Sequence, residues 1–480
     1  MLRIPPKALD TLLTLTAPRR TRKNRAMQNV DQRGHWGSKI GFILAAAGSA
    51  VGLGNIWRFP YITGENGGAA FVVVYLACVF LIGFPLLINE LAIGRASGKD
   101  AVGAFRATRP GTPFVITGFL CIACCFLVLT YYGVIAGWTI GYAVASLAKT
   151  HIAFEEFAAN PVYSIILLGV FILMTVVIVE RGIQSGIEKW SKVLMPLLLV
   201  MVLAVIVRSV TLPGAWKGIE YYMKPNFSKI HATVVLKALG QAFFSLSVGW
   251  GLMITYGSYM EKRQSIVASA FWVVFMDTLV ALLGGFMVFP AVFAFGKAPD
   301  SGTGLTFITL PSVFEQMPAG ALVGFMFFCL LTIAALTSSI SMLEVPVSYL
   351  VDEYKKPRRI AAWAVGILAF LVGIPSALSS GACKWLTHIK VFGHEGLMDI
   401  LDFFVGTAVI VLIAFLCSVY VGWVWKPKAA VEEISQGAPG FTKPLIGGIT
   451  MAHIWVLFVK FICPVVIAIV FLNIFGVSLF

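Results

Sequence analysis

Charged residues are scarce in this chain of 480 residues: Asp, Glu, Lys and Arg make up 12% of it, whereas hydrophobic residues make up 59%. A soluble domain carries about twice that share of charge. Every polar stretch is also well short of the roughly 50 residues that a small domain needs. The composition therefore excludes a soluble enzyme or a soluble binding module.

Histidines and cysteines are few, at six and eight residues. The histidines are scattered, none forms a close sequence pair with a carboxylate, and no nucleophile-elbow motif is present. Cys121, Cys124 and Cys125 share an apolar segment without histidine, which is typical of small buried side chains and not of a metal site. Cys383 is the only cysteine in a predicted outer loop, so we expect no disulfide framework. The scattered histidines and the missing nucleophile elbow predict that the protein is not an enzyme.

Long apolar runs, in contrast, recur along the whole chain. Runs of 18 or more apolar residues are typical of membrane-spanning helices, so we predict an all-α polytopic membrane protein. The hydropathy pattern predicts eleven spans, near 39–63, 69–93, 114–150, 161–179, 187–207, 236–260, 267–296, 320–352, 360–376, 399–425 and 447–477.

The net charge of +14 is unevenly distributed. Most lysines and arginines lie in the N-terminal tail and in the loops that follow even-numbered predicted spans. This asymmetry indicates membrane topology and not nucleic-acid binding, because positive loops stay in the cytoplasm. We predict a multi-pass protein of the cell (inner) membrane, surrounded by lipid, with a cytoplasmic N-terminus and an extracytoplasmic C-terminus.

Residues 1–32 are polar and basic, and they include "PRRTRKNR". They lack the apolar core and the cleavage site of a signal peptide, which predicts a disordered cytoplasmic tail with Met27 as an alternative start to Met1. We expect residues 33–480 to form one domain. The sequence does not indicate an oligomeric state.

The first predicted span contains "GSAVGLGNIWRFP" at Gly48–Pro60, and the sixth contains "VGWG" at Val248–Gly251, which resembles the earlier "VGLG". Glycine is a poor residue for a helix interior. An offset of five spans means that the second copy crosses the membrane in the opposite direction. The pattern predicts an inverted repeat, with repeat one at about 39–210, repeat two at about 236–425 and an extra helix at about 447–477.

Two interrupted helices would expose backbone N–H groups to an anion and carbonyl groups to a cation. The alternative interpretation is that the glycines only allow close helix packing. Packing alone does not explain the polar Asn55 and Arg58 in the same span.

The chain resembles the neurotransmitter:sodium symporter family, which has the LeuT-type fold of two inverted five-helix repeats with broken helices 1 and 6. The resemblance covers roughly residues 33–477 and includes "TYYGVIAGW", "GIEKWSK", "GQAFFSLSVGWGLMITYGSY", "FITLPSVFEQMP", "LTSSISMLE" and "DFFVGT". Family members usually have twelve spans, and some bacterial members have eleven, as predicted here.

The resemblance implies two sodium sites built from hard oxygen ligands. The first comprises Ala50 (carbonyl), Asn55, Ser245 and Asp277. The second comprises the carbonyls of Gly48, Val51 and Ala334 with the hydroxyls of Thr337 and Ser338. The carboxylate of Asp277 implies that no chloride is required, unless that buried acid is neutral.

The implied substrate site holds an amino-acid carboxylate on a tyrosine hydroxyl and on backbone N–H groups of the first break. Its members are Ala50, Leu53, Gly54, Val128, Tyr132, Phe244, Ser247, Trp250, Ser338 and Met342. The implied outer gate is Arg58 with Asp402 through water, and the inner gate is Arg33 with Asp352, beside Trp36 and Tyr259.

We therefore expect a sodium-coupled symporter that imports a neutral amino acid by alternating access. Gly52 stands where family members that carry monoamines have aspartate, so the substrate should bring its own carboxylate. Trp250 matches the glycine carriers and favours glycine or alanine. The alternatives are a carrier of larger hydrophobic or aromatic amino acids, or a non-transporting amino-acid sensor. A channel is disfavoured, because channels use rings of equivalent groups.

Overall fold

The computed structural model of the protein describes residues 34–297 and 304–477. Within these residues, nine helices are long and apolar enough to cross a membrane, and a tenth crossing is a helix pair bent by 52°. The shorter apolar helix Ala232–Ser245 and the helix Leu252–Gly257 form a second interrupted pair, which we count as the eleventh of the crossings that the hydropathy pattern predicts.

We number these crossings in chain order. Spans 1 to 6 are Lys39–Ala50 with Gly54–Glu65, Ala69–Ser97, Val115–Ala148, Pro161–Val179, Ile183–Val210, and Ala232–Ser245 with Leu252–Gly257. Spans 7 to 11 are Ile266–Ala294, Gly320–Asp352, Arg358–Leu378, Leu397–Val424 and Met451–Ile474. The predicted tail 1–32 lies outside the described residues.

The glycine-rich segments interrupt spans 1 and 6, as the sequence predicts. In span 6 the backbone reverses its handedness at Ser247, Gly249 and Gly251, whose φ angles are 54°, 85° and 77°. Gly249 also packs against the chain of span 10, because a Cβ there would lie 2.2 Å from the carbonyl oxygen of Ile410. Only glycine fits both the conformation and the contact.

Span 8 is tied to three other spans by pairs of hydroxyl groups. Thr332 contacts Thr139 of span 3 at 2.8 Å, and Ser339 contacts Thr175 of span 4 at 2.8 Å. Ser49 of span 1 donates to Ser341 at 2.7 Å. Such interhelical hydrogen bonds contribute about 0.6 to 2 kcal/mol each and fix the rotation of span 8 in the bundle.

Short elements connect the spans. The helices are Ala101–Thr108, Phe154–Ala159, Trp216–Met223, Phe227–Lys229, Leu305–Thr309, Leu310–Gln316, Lys384–His388, Pro427–Ser435 and Pro439–Thr442. Two antiparallel hairpins pair Lys390–Val391 with His394–Glu395, and Pro444–Ile446 with Ile449–Thr450.

Candidate functional site

A cluster of polar side chains joins the two interrupted spans to span 7. Asn55 donates from Nδ2 to Asp277 Oδ1 at 2.7 Å and to Ser245 Oγ at 3.1 Å. Ser245 in turn donates to Asp277 Oδ2 at 2.8 Å. All three side chains are buried. The structure thus brings together three predicted ligands of the first sodium site, and Ala50 lies buried at the end of the first half-helix.

The orientation of the Asn55 amide is set by the break in span 1. Its Oδ1 accepts the backbone N–H of Gly52 at 3.1 Å, while its Nδ2 points to Asp277. In this arrangement the amide oxygen caps the unwound backbone and the amide nitrogen neutralises part of the negative potential of the carboxylate.

Hydroxyls and carbonyls also meet between spans 1 and 8. Thr337 Oγ1 donates to the carbonyl of Ala334 at 3.0 Å, and its distance to the carbonyl of Val51 is 3.5 Å. Ser338 Oγ is 3.5 Å from the same Val51 oxygen. A Cβ on Gly48 would lie 3.2 Å from Thr337 Cβ, so the glycine allows this approach. The five predicted members of the second site are therefore neighbours.

A cavity of about 510 Å³ extends from the break in span 1 to the loops before span 10. Its inner wall includes Leu53, Gly54, Tyr132 and Phe244. The hydroxyl of Tyr132 accepts the N–H of Leu53 at 3.4 Å. The inner end of the cavity thus places a phenol hydroxyl beside an unwound backbone amide.

The remaining predicted substrate residues are buried and do not line this cavity. Ser247 donates to the carbonyl of Ser49 at 3.0 Å. The Trp250 indole packs edge-on to Phe244 with ring centres 5.8 Å apart, and its Nε1 has no hydrogen-bond partner among the described residues. The other four buried members are Ala50, Val128, Ser338 and Met342.

Two glycines shape the inner end of the cavity. A Cβ on Gly52 would lie 2.6 Å from Ser338 Oγ and 3.2 Å from the Tyr132 hydroxyl. A Cβ on Gly54 would lie 2.8 Å from the Phe244 ring. A carboxylate side chain at position 52 would therefore displace either Ser338 or Tyr132.

The predicted outer-gate residues Arg58 and Asp402 both line the cavity. The guanidinium of Arg58 lies 4.6 Å above the Phe244 ring, while Asp402 accepts a hydrogen bond from the Tyr131 hydroxyl at 2.9 Å. No direct ion pair between Arg58 and Asp402 is found among the described residues.

The predicted inner-gate residues are only partly described, because Arg33 lies outside the described residues. Trp36 donates its backbone N–H to the carbonyl of Tyr259 at 3.4 Å, and the two rings meet edge-on. Asp352 accepts the backbone N–H of Asp100 at 2.8 Å.

Three residues that sequence reasoning missed contact the site. The Tyr75 hydroxyl donates to Ser245 at 3.2 Å, and Gln241 Nε2 donates to the carbonyl of Gly54 at 3.0 Å. Glu90 Oε1 accepts the N–H of Gly249 at 2.6 Å, so a buried acid in span 2 caps the break in span 6. A charged residue inside an apolar span is the signal that could have identified Glu90.

Known proteins resemble this chain over most of its length. The sequence profile of the sodium:neurotransmitter symporter family matches residues 33–160 and 161–478. The uncharacterized sodium-dependent transporter YhdH of Bacillus subtilis is 39% identical over 454 residues, which cover 93% of this chain and 98% of that protein. The human sodium- and chloride-dependent GABA transporter 2 is 27% identical, over 84% of this chain and 75% of its own length.

Among solved structures, the crystal structure of MhsT in complex with L-phenylalanine superimposes with a TM-score of 0.83 at 41% identity. It covers 92% of this chain and all of MhsT. The interrupted spans, the profile match and these relatives together support one assignment. The chain belongs to the sodium:neurotransmitter symporter family and is a multi-pass, sodium-dependent transporter with the LeuT-type fold, not an enzyme.

Proposed function

We propose that the protein couples the sodium gradient to the import of a neutral amino acid by alternating access. The observation that carries this proposal is the hydrogen bond from the N–H of Leu53 to the Tyr132 hydroxyl, next to Gly52, which has no side chain to fill the space. These donors would hold a substrate carboxylate. The carbonyls of Ala50 and Phe244 would accept the ammonium group.

Sodium is transported as a second substrate, and we assign it two positions. The first lies at Ala50, Asn55, Ser245 and Asp277. Binding there requires the Asn55 amide to rotate so that its Oδ1, and not its Nδ2, faces the sodium ion beside the carboxylate. The second lies at Gly48, Val51, Ala334, Thr337 and Ser338. Each sodium that moves inward through 100 mV releases about 2.3 kcal/mol from the potential alone. Two ions would therefore support concentrative uptake.

We further propose that transport needs no chloride, because Asp277 supplies a permanent negative charge beside the first sodium position. Its carboxylate accepts hydrogen bonds from Asn55 and Ser245, the other two side-chain ligands proposed for that position. Uptake should then persist when chloride is replaced by a large organic anion.

For substrate size we favour glycine or alanine. The Trp250 indole is buried against Phe244, which forms part of the cavity wall. We infer that the indole occupies volume that a larger substrate side chain would need. A second candidate is an aromatic or large hydrophobic amino acid, because MhsT, at 41% identity, was crystallised with L-phenylalanine. The two candidates differ in the order in which amino acids compete for uptake.

Alternating access also requires two gates. We assign the outer gate to Arg58 and Asp402, bridged by water, and the inner gate to Arg33 and Asp352, with Trp36 and Tyr259 beside them. Residues 33–480 act as one transporter domain. From the distribution of lysines and arginines we infer a cytoplasmic N-terminus and an extracytoplasmic C-terminus.

The test is uptake of labelled glycine, alanine, leucine and phenylalanine into proteoliposomes, with an inward sodium gradient or with choline in its place. We expect sodium-dependent accumulation, competition by amino acids and no competition by their decarboxylated amines. Tyr132→Phe should abolish uptake, whereas the matched control Tyr142→Phe, whose hydroxyl bonds the carbonyl of Phe307, should retain it. Binding without uptake would identify a sensor, and strong competition by an amine would contradict the carboxylate assignment.

A further inference from the structure

Span 11 contains a single charged residue of the types Asp, Glu, Lys and Arg, which is Lys460. A charged side chain within a span is unfavourable and is usually retained for a function. The transport site described above does not include Lys460, and span 11 lies outside the two predicted repeats. The charge therefore calls for a separate explanation.

The contacts of the Lys460 ammonium group are aromatic. Nζ lies 4.5 Å from the centre of the Trp423 ring and 5.2 Å from the centre of the Phe461 ring. Within residues 34–297 and 304–477, no carboxylate forms an ion pair with it. Aromatic faces attract a cation, but they do not supply a counter-charge.

The backbone around Lys460 holds this arrangement in place. Trp423 Nε1 donates to the carbonyl of Lys460 at 3.2 Å, which fixes the indole against the lysine. A Cβ on Gly422 would lie only 3.0 Å from Lys460 Cα, so spans 10 and 11 nearly touch here. Both helices widen into a π-helical turn at this level, at Tyr420–Val424 and Phe458–Ile462. Such turns are frequent at functional sites.

The two rings lie on the outer surface of the protein. Trp423 is 56% exposed and Phe461 is 49% exposed, and in a membrane this surface contacts lipid. Trp423 also stands at the end of span 10, three residues before Lys426, where the apolar segment ends. Tryptophan at such a position lies at the level of the lipid headgroups.

We propose that Lys460, Trp423 and Phe461 form a binding site for the headgroup of an anionic phospholipid. The phosphate would supply the counter-charge that no described carboxylate provides, and the exposed rings would contact the glycerol and the upper acyl chains. The segment between spans 10 and 11 carries Lys426, Lys428 and Lys443 against Glu432 and Glu433, which leaves a small positive charge on the same side. In the proposed topology this is the cytoplasmic leaflet, whose anionic lipids attract lysine.

A lipid is favoured over free phosphate because the site opens toward the bilayer and is bordered by two apolar rings. The experiment uses the full-length protein, purified in detergent and delipidated. It is incubated with equal amounts of phosphatidylglycerol and phosphatidylcholine of the same chain length, and the retained lipid is measured by native mass spectrometry. A parallel sample contains excess inorganic phosphate.

We expect phosphatidylglycerol to be retained in preference to phosphatidylcholine, and inorganic phosphate to leave this preference unchanged. Lys460→Gln should weaken the retention of phosphatidylglycerol about fivefold, the effect of removing one lysine from an anionic surface. Lys460→Arg keeps the charge and should behave as the wild type. Lys217→Gln serves as the control, because Lys217 is an exposed lysine on the connecting helix Trp216–Met223, outside the proposed lipid site.

Equal retention of the two lipids by the wild type would overturn the proposal, as would unchanged retention in Lys460→Gln. Displacement of the lipid by inorganic phosphate would also overturn it in favour of a soluble anion. If Lys460→Gln fails to fold, Trp423→Leu provides the second test. It keeps the charge but removes the indole, and it should lower the retention of phosphatidylglycerol while a melting curve reports that the protein is intact.

Discussion

Asn55 of span 1 and Asp277 of span 7 are joined by a hydrogen bond of 2.7 Å from Nδ2 to Oδ1, although 222 residues separate them in the chain. The carboxylate is buried, and its described partners are an amide and a hydroxyl, with no lysine or arginine among them. A buried carboxylate without a cationic side chain is electrostatically incomplete. A sodium ion would complete it, which links the finding to the sodium dependence of the family.

Replacing Asp277 with asparagine removes this charge and keeps the size of the side chain. We expect the sodium concentration for half-maximal uptake to rise at least tenfold, or uptake to become dependent on chloride. Uptake in proteoliposomes, measured against sodium with and without chloride, checks this. Glu220→Gln, which removes an exposed carboxylate on the connecting helix Trp216–Met223, is the control. An unchanged sodium response in Asp277→Asn would remove this residue from the site.

Trp250→Phe tests the size of the substrate pocket. The smaller ring leaves room that the indole fills, so leucine and phenylalanine should gain about tenfold or more in competition against glycine. Competition panels on the wild type and the variant measure this change. A wild type that already prefers leucine would favour the second candidate, and an unchanged order in the variant would contradict the role given to Trp250.

Glu433→Gln tests an ion cluster that attaches the connecting helix Pro427–Ser435 to Arg95 of span 2 and to Lys262. The side chain of Arg95 is fully buried and lies 2.8 Å from Glu433, which also accepts from Lys262 at 2.8 Å. Loss of the carboxylate leaves both cations without a counter-charge, so we expect a destabilisation of about 3–5 kcal/mol. Thermal unfolding in detergent measures it.

The matched control is Glu353→Gln. Glu353 pairs with Arg106 at 2.7 Å, but the arginine side chain is half exposed. Surface pairs contribute about 0–1 kcal/mol, so this variant should melt close to the wild type. Equal effects of the two substitutions would contradict a special role for the buried cluster.

Asp100 predicts a pH dependence of stability. It begins the helix Ala101–Thr108, with Oδ1 accepting the N–H groups of Val102 and Gly103 at 2.9 and 3.1 Å. Burial raises the pKa of Asp100 from 3.8 to about 6, and the charge of Asp352 acts in the same direction. A raised pKa means that the folded state favours the protonated acid. The contribution of protonated Asp100 to the free energy of unfolding is therefore fully present below pH 4 and is lost as the pH rises through about 6.

Asp100→Asn keeps a good helix cap but cannot ionise. Between pH 4 and pH 7 the wild type should therefore lose up to about 3 kcal/mol relative to the variant. Melting temperatures of both proteins across this range measure the difference. Parallel curves would show that Asp100 does not titrate in this window.

The interrupted helices were predictable because glycine, asparagine and arginine are poor residues for an apolar helix. The same reasoning indicated Asn55, which lies within the first break, whereas Ser245 was indicated only by the family resemblance. The role of Glu90 was not predicted, since its partner Gly249 lies 159 residues away and contacts it only after spans 2 and 6 pack together. The carboxylate of Glu433 likewise meets Arg95 from 338 residues away.

The sequence by itself determined the membrane class, the eleven crossings and the two breaks, because hydropathy and glycine content act locally along the chain. Only the tertiary structure decided which groups face each other. It turned the Asn55 amide nitrogen toward Asp277, kept Arg58 over Phe244 and out of direct contact with Asp402, and left Trp250 and Met342 behind the cavity wall. These outcomes depend on how several helices pack at once, because a side chain's partner is set by the rotation and depth of every neighbouring helix.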